Sequence, residues 1–233
     1  MSIAENIARI HDRIGKTCLL CGRDPAEVKV VAVTKHVDID RIVEAIESGI
    51  EIIGENRVQE AWDKYQQLRQ KVSWHMIGHL QTNKARRALQ FADVIQSVDS
   101  LHLAEELEKQ ATGLDKSIDV FVQVNTSEEP NKFGFAVSEA VEAVTGIAEL
   151  RRLKVKGLMT IGVFSDNADR VRVCFRRLRE IRDRVVESSF KNVGSLQLSM
   201  GMTNDFELAI EEGATMVRIG TEIFGERERV RAK

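Results

Sequence analysis

Short apolar runs alternate along this chain with longer amphipathic stretches. The runs VKVVAVTK (28–35), EIIGEN (51–56), SWHMIGHL (73–80), DVIQSV (93–98), IDVFVQVN (118–125), KVKGLMTIG (154–162), SLQLSMG (195–201) and MVRIGTEIF (216–224) are rich in β-branched residues and predict strands. Between them, DIDRIVEAIESG, RVQEAWDKYQQLRQ, NKARRALQF, SLHLAEELEKQ, VSEAVEAVTGIAEL, RVRVCFRRLREIRDRVVESS and TNDFELAIEEG carry the helical period. Caps agree. Asp38 or Asp40 suits the first helix start and Ser100 the fourth, Thr203 or Asn204 suits the last, and Gly49 and Gly213 suit two helix ends. Each helix is long enough to cross over between parallel strands. The pattern predicts an α/β fold, a closed (β/α)8 TIM barrel, with an extra N-terminal helix over about 2–22. A doubly wound open sheet is the alternative, but no G-x-G-x-x-G follows the first strand.

Composition changes this picture little. The chain has 233 residues, 43% hydrophobic and 30% charged, with net charge −2. That suits one domain over 1–233, its barrel spanning about 28–225. The charge balance gives no reason to expect a nucleic-acid or membrane partner. No signal-peptide pattern or membrane-spanning run is present, so a cytoplasmic location is expected. Cys18 and Cys21 form a C-x-x-C without a second metal-binding pair, and they read as small apolar residues of the N-terminal helix. Cys174 is the third cysteine.

In such barrels the chemistry gathers at the C-terminal strand ends. Lys35 closes the first run. A desolvated lysine there can form a Schiff base, although a rim lysine paired with an acid is the plainer reading. The ends of the seventh and eighth runs, SMGMTND and RIGTEIFG, offer Ser199, Met200, Gly201, Gly220 and Thr221 to a phosphate. Simple capping and turn roles fit them equally well. Arg218, inside an apolar run, needs an acceptor. A ligand would serve, and so would a buried carboxylate such as Glu222 or Glu55. His75 and His79 are expected on one strand face as satisfied core or rim histidines rather than metal ligands. The arginine-rich helix 170–189 reads as a solvated face neighboured by Glu180, Asp183 and Glu187.

Taken together, VAVTKHV, IGENRVQEA, WHMIGHLQTNK, QVNTSEEPNKFGF, GLMTIG and LSMGMTNDFELAIEEGATMVRIGTEIFG resemble the YggS/PROSC family of pyridoxal phosphate homeostasis proteins. The resemblance runs from about Val28 to Gly225. That family is similar to the N-terminal barrel of alanine racemase. The resemblance implies pyridoxal 5′-phosphate (PLP) as cofactor, with Lys35 forming the internal aldimine. It implies phosphate contacts from Ser199, Gly220 and Thr221, helped by backbone N–H groups of Met200 and Gly201. Arg218 would face the pyridine nitrogen and Asn56 would lie beside the ring. His79, Lys84 and Lys132 fall in family words without assigned roles. The segment VFSDNADR lacks the prolines expected after GLMTIG.

An arginine can only donate to the ring nitrogen, so the ring would stay a poor electron sink. Racemases of this fold class draw an opposing acid/base tyrosine from a second domain. The chain ends soon after the last predicted strand, and its only tyrosine, Tyr65, falls in a predicted helix. The first expectation is therefore a monomeric, non-catalytic or barely catalytic PLP-binding protein that buffers the cofactor or delivers it to PLP-dependent apoenzymes, the role in vitamin B6 and amino-acid homeostasis that the resemblance implies. An amino-acid racemase is the alternative. A phosphometabolite enzyme using Lys35 without PLP is a third reading, which the strand-end words disfavour.

Overall fold

The computed structural model describes residues 2–68, 71–190 and 193–225. Eight parallel strands close into one barrel in sequence order. They are β1 Lys29–Val33, β2 Ile52–Glu55, β3 Ser73–Met76, β4 Val94–Val98, β5 Ile118–Gln123, β6 Leu153–Met159, β7 Gln197–Met202 and β8 Met216–Ile219. The helices are α1 Ile3–Leu20, α2 Ile39–Glu47, α3 Val58–Gln67, α4 Ala85–Ala88, α5 Leu101–Gly113, α6 Ala140–Ala148, α7 Ala168–Glu187, α8 Phe206–Glu211 and α9 Thr221–Phe224.

Strand alternation divides the side chains into two sets. Val31, Ile52, Phe121, Met159 and Met216 fill the barrel interior. The outward set, including Ala32, Ile53, Ile95, Val122 and Val217, joins the larger core beneath the helices. Gly157 shows how tightly the interior is filled: a Cβ there would lie 2.5 Å from the Gln197 carbonyl and 2.6 Å from the Phe121 ring.

The helix after β8 is the four-residue α9, too short to cover its share of the barrel wall. The N-terminal α1 fills that place, packing against α8, α9 and α2. Its stripe Ile3, Ile7, Ile10, Ile14 and Cys18 is buried. Asn6 Nδ2 donates to the Ile223 carbonyl at 3.0 Å, and Arg13 pairs with Glu207 and Glu222. Ser2 and Glu5 form a reciprocal cap at its start. Cys18 is buried, and Cys21 sits at the helix end with its thiol directed to the Thr17 carbonyl at 3.1 Å.

Several boundaries differ from expectation. The run 216–224 is a strand only to Ile219; its remainder turns into α9, where buried Ile223 and Phe224 extend the apolar pattern. β3 stops at Met76, so His79 lies in the following loop and does not share a strand with His75. β6 stops at Met159, three residues short of Gly162. Asp205, not Thr203 or Asn204, occupies the cap position of α8. Ser100 caps α5 as expected, accepting from Leu103 N at 3.2 Å. No helix among the described residues is long and apolar enough to cross a membrane.

Candidate functional site at the barrel mouth

Lys35 lies two residues past the end of β1. Thr34 still pairs with β2 through its N–H and the Gly54 carbonyl, 3.0 Å, and its hydroxyl donates to Glu55 Oε1 outside the barrel at 2.7 Å. Val31 faces inward and Thr34 outward, so continuing the strand alternation puts Lys35 in the inward register of Val31, at the C-terminal mouth. Asn56, one residue beyond outward-facing Glu55 at the end of β2, takes the corresponding inward place. Its Oδ1 is buried without a hydrogen-bond partner, which marks an acceptor still awaiting a donor.

Arg218 enters from β8. It is 4% exposed, and burial pulls its guanidinium down to about 10, with nearby Asp205 acting in the opposite direction. It therefore remains cationic at neutral pH. Neither Glu222 nor Glu55 accepts from it: Glu222 pairs with Arg13 and Glu55 with Lys64. Arg218 Nη1 donates instead to Ser199 Oγ at 2.7 Å, and Nη2 to the Thr160 carbonyl at 2.7 Å. Ser199 Oγ in turn donates to Gln96 Oε1 at 2.6 Å, and Gln96 Nε2 reaches His75 Nδ1 at 2.7 Å. Burial pushes His75 down to about 3, so it accepts this bond as a neutral ring. The hydrogen-bond partners that orient this buried cation are thus neutral, with the Asp205 carboxylate acting from nearby.

Ser199, expected at the phosphate, lies deeper in the barrel. Its hydroxyl is already committed on both sides, and its register partner is Met216, four residues before Gly220. At about 3.3 Å per residue, that places it roughly 13 Å below Gly220 along the strand direction. Ser199 holds Arg218 rather than facing the rim. Met200 is fully buried with its side chain in the outer core, leaving only its backbone to serve a ligand.

The turn that follows is better placed. Met202 pairs with Arg218 across the β7–β8 irregularity, which raises Thr203 toward the level of Ile219 and Gly220. Gly201 has φ +90, and a Cβ there would lie 2.5 Å from Ala209 Cβ, so only glycine allows this turn to close on α8. Met202 N–H donates to Asp205 Oδ1 at 2.6 Å. Gly220 caps α9 against β1, and Thr221 is exposed at the first helical position. The opening N–H groups of a helix lack intrahelical acceptors and suit an anion. Sequence reasoning treated Thr203 only as a cap; the strand register was the missing signal.

Elsewhere on the rim, His79 Nδ1 lies 2.6 Å from Asp99 Oδ2, and its ring stacks on Phe133 at 3.7 Å. Lys132 bonds Glu129 and the Gly162 carbonyl. It lines a cavity of about 510 Å³ with Arg170 and Arg177, apart from Lys35. Lys84 ends a short 3-10 turn after β3. Tyr65 packs edge-on to Trp74 and beside Phe91, near the N-terminal ends of β3 and β4 and away from the mouth. The α7 arginines are not simply solvated: Arg172, Arg176 and Arg179 converge on Glu212 at the end of α8. No group of three or more metal-ligating side chains is found among the described residues.

The closed (β/α)8 barrel belongs to the class of alanine-racemase-type barrels. The family described as alanine racemase, N-terminal domain, matches residues 2–228. Within that class, the chain belongs to the family of pyridoxal phosphate homeostasis proteins. The member from Aquifex aeolicus is 42% identical over 98% of this chain and 100% of its own length. The member from Escherichia coli strain K12 is 36% identical, with 97% of each covered. The solved structure of PipY from Synechococcus elongatus with PLP bound superposes with TM-score 0.83 at 33% identity, covering 96% of this chain and 100% of PipY. An alanine racemase from Clostridium difficile shares the fold, with TM-score 0.78 at 14% identity, and this chain spans 58% of it.

Proposed function

We propose that this protein holds PLP at the barrel mouth as a Schiff base on Lys35 and serves vitamin B6 and amino-acid homeostasis with little or no catalysis of its own. The observation that carries the reading is the pairing of an inward rim lysine with a buried, neutrally partnered Arg218, in a chain whose relatives bear that name and whose relative PipY was solved with PLP bound.

The residues fit the cofactor. Its aldehyde condenses with a primary amine, and Lys35 is the amine at the mouth. The Arg218 guanidinium donates toward the pyridine nitrogen and keeps that nitrogen unprotonated, because arginine does not give up its proton there. The orphaned Asn56 Oδ1 lies on the same inward layer. The phosphate falls to the backbone of Met200–Gly201 and the turn after it, to Thr203, to Gly220 and to Thr221 at the start of α9. Ser199 acts at one remove, through Arg218. Tyr65 sits at the wrong end to act as an acid opposite Lys35, and one acid/base without an opposite partner racemises poorly. The protein works in the cytoplasm as a monomer and passes PLP to dependent apoenzymes.

Absorbance titration with PLP tests this. Wild-type protein gains a visible Schiff-base band, and Lys35→Ala does not. An unchanged band in Lys35→Ala removes the assignment. Amino-acid racemisation that is lost with Lys35→Ala would replace the carrier with an enzyme.

A further inference from the structure

We propose that Lys64 and Glu60 of α3 are a positioning pair that clamps the peptide groups on either side of Lys35 and so aims its amine. The inference rests on the role given to Lys35 above.

Lys64 lies on the buried stripe of α3 with Val58 and Ala61. Its Nζ donates to the Thr34 carbonyl at 2.6 Å, to Glu55 Oε1 at 2.7 Å and to Glu60 Oε1 at 2.7 Å. An ammonium has three N–H donors, so all are engaged. Glu60 Oε1 also accepts the His36 backbone N–H at 2.5 Å. The carbonyl immediately before Lys35 and the N–H immediately after it are thereby held by two charged groups one helical turn apart.

The backbone there needs holding. His36 has φ +59, a left-handed conformation sparsely used by residues with a Cβ. Val37 N–H returns to the Thr34 carbonyl at 3.0 Å and closes the turn. An apolar residue at position 64 would pack α3 against the barrel without desolvating an ion, and buried ion pairs are weak sources of stability. Every acceptor of Lys64 here either belongs to the backbone at Lys35 or reaches it. Thr34 O is that backbone; Glu60 bonds His36; Glu55 accepts the Thr34 hydroxyl.

The clamp bears on a step that depends on direction. The Lys35 nitrogen adds to the aldehyde carbon, a C=N bond replaces C=O, and the oxygen leaves as water with two amine hydrogens. A displacement on the order of 1 Å slows such a step by about a hundredfold.

The test measures the rate of Schiff-base formation on PLP-free full-length protein by stopped-flow absorbance, with thermal midpoints alongside. Glu60→Ala is expected to react about tenfold slower. Glu60→Gln keeps an acceptor oxygen for His36 N–H and should stay within about threefold of wild type. The double variant Lys64→Met/Glu55→Gln removes the cation together with the charge it would strand. It should fold and react about tenfold slower. Wild-type rates in folded Glu60→Ala and in the double variant overturn the clamp and leave α3 anchoring as the role of the pair. If the double variant does not fold, the Glu60 pair decides alone. Borohydride trapping of the wild type separates the two levels. An adduct away from Lys35 sinks the underlying reading, whereas an adduct on Lys35 with undiminished variant rates sinks only the clamp.

Discussion

On the β1–β2 side of the mouth, Lys35 is backed by an ionised cluster outside the barrel wall, made of Glu55, Glu60 and Lys64. On the β7–β8 side, Arg218 is backed by neutral groups inside the barrel, Ser199, Gln96, His75 and the Thr160 carbonyl. The first arrangement fixes a backbone and directs a side chain that must react. The second fixes a cation through neutral hydrogen-bond partners, with Asp205 nearby but not hydrogen-bonded to it. Ionised partners outside the wall position a backbone; neutral partners inside the barrel orient a cation.

The difference should appear first in stability. Lys64→Met strands the Glu55 carboxylate in a buried site, a loss of about 3–5 kcal/mol in urea unfolding. A loss below about 1 kcal/mol would mean that the cluster is not ionised in the way described.

Acid should act on Glu55 and on His75 with opposite signs. Burial raises the Glu55 carboxyl, so at that group the folded protein binds more protons than the unfolded chain and its contribution to stability rises as pH falls through the folded value. Glu60 acts in the opposite direction, because despite burial Lys64 and the His36 N–H hold its carboxyl low. His75 is depressed from 6.5 to about 3, so between those values the folded protein binds fewer protons. Its contribution is lost as pH falls below the unfolded value, by about 2 kcal/mol between pH 6.5 and 5. His75→Gln should flatten the stability curve across that window in pH-dependent unfolding.

The smallest effect sharpens the role of Ser199. Ser199→Ala removes one hydrogen bond to a charged group and should destabilise by about 1–2 kcal/mol. PLP affinity should weaken less than about threefold, whereas Thr203→Ala should weaken it about tenfold if that turn holds the phosphate. The reverse order would restore Ser199 to the phosphate.

The alternation of runs and helices was enough to read the barrel, because each strand is buried on both sides and each helix keeps its period. Strand ends were harder. Ile223 and Phe224 are buried from a helix of four residues, and so short an apolar segment carries no period to separate it from a strand. Lys35 and Arg218 were legible as charges closing or interrupting apolar runs. The level of Ser199 in the barrel was not legible, because it depends on the β7–β8 register, which no local pattern encodes. Glu60 and Lys64 left a trace, a lysine on the apolar stripe of α3, but their meaning needed the Thr34 carbonyl and the His36 N–H in space.

The central claim is that Lys35 is the amine that carries PLP. Borohydride reduction of the full chain with added PLP, followed by peptide mass mapping, tests it most directly. The account predicts the phosphopyridoxyl group on the peptide containing Lys35. Modification at Lys132, Lys84 or another lysine with Lys35 unmodified would contradict it.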